Sequence, residues 1–236
     1  SNMDAIDEGG HILKQRYLRI MYAAYRDRDD QYPFRESQPV PQLIKSAALP
    51  GEVPAATQVR TGRILRQMII GNLVHTSTVL IRSHIARQFG FFKEAMRRGG
   101  EDYDFHLRTS ALTDVAYLDI STMKYRIGME DQLTHTSNNL YFAQCYLSSI
   151  EPFLNEPGLL TVRERHAILA TAHRWLAEQL FENGEHPASR SHLVKSLRHQ
   201  PYSLASLKLI AKSVLPGRVL RQFRKWRGPK ATVAAY

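Results

Sequence analysis

The stretch Gly99-Gly100-Glu101-Asp102-Tyr103-Asp104-Phe105-His106-Leu107-Arg108 delivers two glycines into an acidic pair and then into an amphipathic run. It reads as a helix start just after Gly100. Glu101 and Asp102 then fall in the first turn, where the unpaired N–H groups and the helix dipole favour ionised carboxylates by about 0.3–1 kcal/mol each. Asp104 and Arg108 are one helical turn apart and pair on one face as a surface ion pair. Asp102 points away from that pairing, which leaves it the freer carboxylate.

Strand signals flank this helix. "VHTSTVLIR" (74–82) is rich in β-branched residues and is expected to be a strand. Downstream, "DVAYLDI" (114–120) and "MKYRI" (123–127) read as two more. Helical spacing is seen in "RILRQMIIGN" (63–72), stopped by Gly71-Asn72, and in "SHIARQFGFF", with Ser83 as cap and Gly90 as stop. Nearer the beginning, "DAIDEGGHIL" turns at Gly9-Gly10, and "KQRYLRIMYAAYRDRDD" has the spacing of a helix. Residues 32 to 57 contain Pro33, Pro39, Pro41, Pro50 and Pro54 and are expected to lack regular structure. Ser1-Asn2-Met3 reads as an expression remnant and is set aside from the fold.

From residue 132 onward the periodicity becomes helical, over about 134–150, 161–183, 187–199 and 203–214. Within it, "LAEQLFENGEHPASRSHLVKSLRHQP" resembles a single tetratricopeptide unit, which cannot bury its own face and must pack on a neighbour. The chain is therefore expected to be α+β. A small mixed sheet and its helices occupy 4–155, and an all-helical region with a basic end occupies 156–236.

Composition bounds the function. Hydrophobic residues make up 43% and charged residues 23% of 236, ordinary for a globular protein. No run approaches the roughly 18 apolar residues of a membrane span. One cysteine, Cys145, excludes an intramolecular disulfide and a cysteine-based zinc cluster; its apolar helix marks it as core. The net charge of +10 is concentrated at one end. Residues 1–185 hold 21 basic and 22 acidic side chains, and the eleven Lys and Arg from Arg190 to Lys230 meet no acid. Such a distribution does not suit a nucleic-acid binder, and none is expected. "GRVLRQFRKWRG" (217–228) sets Val219, Leu220, Phe223 and Trp226 among five basic residues, suited to an anionic membrane surface or to docking on the protein itself. His166 and His173, seven apart on a helix, read as surface residues rather than ligands.

The ordered set "GNLVHTSTVLIR", "FGFF", "GGEDYDFHLR", "VAYLD" and "KYR", spanning about 70–134, resembles the C-terminal half of family 2 glycosyltransferases of the GT-A fold. The resemblance implies an inverting transfer from a nucleotide-sugar to a glycan or lipid-linked acceptor, of the kind that builds cell-envelope polysaccharide. It makes Asp102 the general base, with Glu101 supporting it or touching the acceptor. Arg108, through Asp104 or Glu101, would orient the acidic helix, and Arg126 would contact donor phosphate. Relatives carry a histidine soon after the Tyr-Arg pair; here Gly128 stands there and His135 follows seven residues later as its candidate replacement. The family also implies a divalent metal, Mn²⁺ or Mg²⁺, held by an Asp-x-Asp motif in an upstream nucleotide-binding half. Asp27-Arg28-Asp29 has that form but follows a helical pattern, and no glycine-rich nucleotide-binding start precedes it. The metal ligands are thus unassigned, and this chain is expected to be the acceptor-side fragment, inactive alone. The single cysteine fits a reducing, cytoplasmic location, with peripheral attachment to the inner face of the membrane as an option. The alternative function is a non-catalytic helical module that recruits a membrane surface or an acidic partner through the basic tail.

Overall fold

The computed structural model describes residues 1–22, 25, 34, 36–39, 57–129 and 138–214. They form an α+β structure that divides into two compact units. Among the described residues, one unit comprises 1–97 and 101–129, and the other comprises 98–100 and 138–214.

The first unit contains two three-stranded sheets. In one, β1 (Asn2–Ile6) lies between β2 (Ile12–Lys14), antiparallel to it, and β6 (Ser121–Arg126), parallel to it. Asn2, Met3, Ala5 and Ile6 are all buried, as a central strand covered on both faces requires. Residues 1–3 are therefore an integral part of the fold, contrary to the reading that set them aside. Asn2 Oδ1 accepts the N–H of Met3 (2.8 Å) and of Leu18 (3.2 Å), while Nδ2 donates to Asp119 (2.8 Å) and to the Tyr117 hydroxyl (3.1 Å). A buried amide with all four bonds made is stabilising; one left bare would cost about 1–3 kcal/mol. The β1–β2 connection turns at Gly9-Gly10 as expected, with Gly10 at φ 89° and Asp7 Oδ1 accepting the His11 N–H at 2.8 Å.

The second sheet is antiparallel, in the order β3 (Glu36–Pro39), β4 (Gln58–Gly62), β5 (Val115–Leu118). β3 corrects the expectation that the proline-rich stretch has no regular structure. It is an edge strand, where Pro39 can sit without removing a ladder hydrogen bond from the sheet interior. Met3, Leu18, Tyr22 and Tyr117 form a core cluster, with Phe34 stacked on Tyr117 at 5.5 Å.

The helices of this unit are α1 (Leu18–Met21), α2 (Leu65–Ile70), α3 (Ser83–Phe89) and α4 (Glu101–Leu112). α1 is one turn and begins later than the periodicity predicts, because Lys14 joins the sheet and Arg16 adopts a positive φ of 51°. The rest of that predicted helix, with Asp27 and Asp29, lies largely outside the described residues. α3 ends at Gly90 (φ 71°) as expected, but its cap position is Arg82 and Ser83 is already helical. "VHTSTVLIR" is not a strand. Thr76–Thr78 form a 3₁₀ turn, Thr78 Oγ1 donates to the His75 carbonyl (2.8 Å), and Leu80 is fully exposed. The Thr78 hydroxyl here serves a local bond and the Thr76 hydroxyl a distant one, and neither residue joins a sheet ladder.

The second unit holds α5 (Asn139–Ile150), α6 (Val162–Glu182), α7 (His186–His199) and α8 (Leu204–Ser213), close to the ranges the periodicity predicts. Thr161 opens α6 with a capping box, exchanging bonds with Glu164. Gly184, at φ 83°, turns the chain into α7. The α6–α7 hairpin closes along small residues: Ser189 Oγ donates to the Ala177 carbonyl (2.7 Å) and Ser196 Oγ to the Ala170 carbonyl (2.8 Å). Ala143, Leu176 and Leu180 form the adjoining core. Residues 98–100 pack here too. A Cβ on Gly99 would fall 2.3 Å from Phe142 Cε1, and one on Gly100 would fall 2.8 Å from the Cβ of the buried Cys145. No described helix is long and apolar enough to cross a membrane.

Candidate active site around Asp102

The first turn of α4 carries Glu101, Asp102 and Asp104. Asp102 Oδ1 accepts the Tyr103 N–H at 2.7 Å, and Oδ2 accepts the hydroxyl of Thr76 at 3.0 Å. Asp102 is therefore not the unengaged carboxylate the spacing suggested. It is oriented from outside its own helix, by the 3₁₀ turn that follows α2. His106, one turn further along α4, places Nε2 3.3 Å from the same Thr76 oxygen.

A threonine hydroxyl has a single proton, and here it goes to Asp102. The His106 nitrogen facing Thr76 must then carry its own hydrogen and donate. The result is a directed chain: His106 donates to Thr76, and Thr76 donates to the Asp102 carboxylate. It requires a hydrogen on Nε2, which a neutral imidazole supplies in its Nε2–H tautomer. Burial drives the His106 pKa down to about 4, outweighing the opposing attraction of Asp102, and His75 pushes it the same way as burial. His75 is likewise lowered by burial against the pull of Asp102. Its ring meets Tyr125 of β6 edge-on at 5.0 Å, and its buried Nδ1 has no hydrogen-bond partner among the described residues. Glu101 Oε2 is buried and lacks one as well. At this helix start the Asp102 carboxylate thus lies with the buried His106 and the half-buried His75, both lowered by burial, while Glu101 Oε2 is without a partner on the same helical turn. Such a cluster can accept a proton at Asp102 and present polar groups to a hydroxyl-bearing ligand.

The other expected site residues lie elsewhere. Asp104 and Arg108 do pair (2.8 Å), but the pair is not superficial: the Asp104 side chain is only 4% exposed and also receives Lys93 Nζ at 2.6 Å. Arg108 further donates to the Phe91 carbonyl (3.2 Å) and lies over the Phe105 ring (5.5 Å). These contacts anchor α4 on the face turned away from Asp102. Arg126 donates to the carbonyls of Asp7 (2.6 Å) and Glu8, fastening the β1–β2 turn. His135 and residues 217–228 lie outside the described residues. His75, Thr76 and His106 were not among the expected site residues. The four-residue spacing of Asp102 and His106, which puts both on one helical face, was the available signal for His106.

Among the described residues no three His, Cys, Asp or Glu groups converge as metal ligands. No protein-family model, curated protein or solved structure matches this chain.

Proposed function

We propose that this chain is the acceptor-side part of an inverting glycosyltransferase with Asp102 as its general base. The observation that carries the reading is the hydrogen-bonded chain from His106 through Thr76 to Asp102 at the start of α4. The resemblance of residues 70–134 to family 2 glycosyltransferases supplies the reaction. Asp102 takes the proton of an acceptor hydroxyl as that oxygen attacks the anomeric carbon of a nucleotide-sugar. The bond from that carbon to the diphosphate oxygen breaks, the nucleoside diphosphate leaves with the electron pair, and the configuration inverts. Thr76 fixes the carboxylate so that a lone pair of Oδ2 remains for the acceptor, and the helix start stabilises its charge. The flanking imidazoles, lowered by burial, offer polar groups without adding a competing cation.

The test uses the full-length protein that contains this chain, with a panel of nucleotide-sugars and acceptors in Mg²⁺ or Mn²⁺. Nucleotide release should fall by about 10²–10⁴ in Asp102→Asn, the range for loss of a positioned base. Thr76→Val should lower turnover less, with little change in donor KM. Wild-type turnover in a folded Asp102→Asn protein would refute the assignment. The second reading, a helical recruiting module, is favoured by the exposed Tyr202, Leu204, Leu207 and Val214 along and beside α8. On that reading Asp102→Asn has no effect and charge reversal within 218–227 abolishes binding to anionic vesicles.

A further inference from the structure

Four of the chain's ten histidines meet across the α6–α7 hairpin. His173 and His192 bring their Nδ1 atoms to 3.1 Å, and His166 and His199 do the same at 3.1 Å. The rings of His173 and His199 stack between the pairs with centroids 6.2 Å apart, joining all four into one ladder. We propose that this ladder is a binding site for late first-row divalent ions (Zn²⁺, Ni²⁺ or Cu²⁺), one held by each Nδ1–Nδ1 pair.

The bite fits. Imidazole nitrogen binds zinc at about 2.0–2.1 Å, so two nitrogens 3.1 Å apart subtend roughly 98° at a shared ion. That angle lies between tetragonal and tetrahedral values, within reach of copper and nickel on one side and zinc on the other. The geometry is templated by the hairpin. His166 faces His199, Ala170 faces Ser196, His173 faces His192 and Ala177 faces Ser189, each pair about equally far from the Asn183–Gly184 turn. Spacings of four, three and four along α6 keep these residues on one seam. The small Ala and Ser side chains bring the helices close, and the histidines line the side of the seam. The structure thus spends two turns of each helix on holding imidazoles in pairs.

Protonation also suits ligation. Burial drives His173 down to about 4, with His192, Lys195 and His199 adding to the effect. His192 is lowered by burial and by Lys195, and His199 by burial, His166 and Arg165. As an unliganded pair, one ring must donate an Nδ1 proton to the other. Ion binding moves that proton to Nε2 of the same ring, so both Nδ1 lone pairs face the metal and no net proton is lost. No third described His, Cys, Asp or Glu joins either pair, so each ion takes two protein ligands and completes its shell with water. The outer pair has the room: His166 and His199 line an open cleft of about 440 Å³ with Arg163, Gln200, Tyr202 and Ser203. Such two-ligand sites are exchangeable rather than structural.

The experiment titrates the untagged full chain with Zn²⁺ by calorimetry and with Cu²⁺ by electron paramagnetic resonance. Wild type should bind two ions with nitrogen hyperfine structure, reversed by chelator. His166→Gln/His199→Gln and His173→Gln/His192→Gln should each keep one, and the fourfold variant neither. His11→Gln/His84→Gln, at exposed positions, should keep both. Helicity by circular dichroism accompanies each variant. Substitution is bypassed by a second readout on wild type, in which substoichiometric Cu²⁺ should broaden the ring resonances of the four ladder histidines first. Unchanged stoichiometry in the pair variants, no binding by wild type, or first broadening at His11 or His84 would overturn the proposal and leave the ladder as neutral hydrogen-bonded pairs.

Discussion

Lowering the pH from 7 to 5 should destabilise the first unit through His106, by an amount the structure lets us calculate. The imidazole is held neutral by burial, with its pKa pushed from 6.5 to about 4 in the folded state. Above pH 6.5 both folded and unfolded chains leave it unprotonated, and its neutral fit is fully available. As pH falls from 6.5 toward 4 the unfolded chain takes up the proton while the folded one resists, so stability is lost across that window. The full effect is about 3 kcal/mol, of which about 2 kcal/mol is already lost at pH 5. His75, lowered for the same reason and coupled to His106, acts in the same direction. Urea unfolding at pH 7 and pH 5 should be compared between wild type and His106→Gln. Titration of groups remote from His106, including His173 in the helical unit, is common to both proteins and cancels in the difference of slopes. The variant is less stable at pH 7 but should lose about 2 kcal/mol less on acidification. A His106 ring proton that titrates near pH 6.5 by nuclear magnetic resonance, or equal slopes in the two proteins, would refute the argument that burial holds this imidazole neutral.

Asp104→Ala removes a 4% exposed carboxylate from between Lys93 and Arg108 and leaves the guanidinium, 20% exposed, without its main counter-charge. A loss of about 3 kcal/mol is expected from urea midpoints, and a change below about 0.5 kcal/mol would show that the triad is energetically superficial. Gly100→Ala should cost more than Gly128→Ala. Both positions have φ 89°, a backbone term of about 1–2 kcal/mol for a side chain, but only Gly100 also meets the Cys145 Cβ, at 2.8 Å. Equal shifts in thermal midpoint would remove that contact from the explanation.

What was legible in the sequence followed the range of the interactions involved. The four C-terminal helices were readable because their periodicity, the Thr161–Glu164 box and the turn glycine act within a few residues. β5, β6, the Gly9-Gly10 turn and the Asp104–Arg108 pair were readable for the same reason. The failures depended on distant partners. Asn2 looks expendable until Tyr117, Asp119 and Leu18 are placed around it. "HTSTV" has strand composition, yet its hydroxyls find Asp102 and His75 instead of a neighbouring strand. At the candidate site Asp102 was singled out from the sequence, whereas the relay that orients it arrives from Thr76, 26 residues upstream. The histidine ladder was hidden by the same limit: His166 and His173 read as a surface pair on one helix, and only folding at Gly184 gives each its opposite number on α7.

The parallel pairing of β1 with β6 sets a timetable for biosynthesis. Asn2 pairs with Ser121 and Ile6 with Arg126, so the middle strand of its sheet has no lasting partner on one edge until about 120 further residues exist. At ribosomal speeds of about 5–20 residues per second, that is an interval on the order of 6 to 24 s. Throughout it the nascent chain carries Met3, Ala5 and Ile6 uncovered on one edge, with only the β2 hairpin beside them. The helical hairpin, whose partners lie a turn apart, can close as soon as it emerges from the exit tunnel. β1 is thus completed long after it is made, and nascent-chain chaperones have their best opportunity at the very strand that becomes the centre of the sheet.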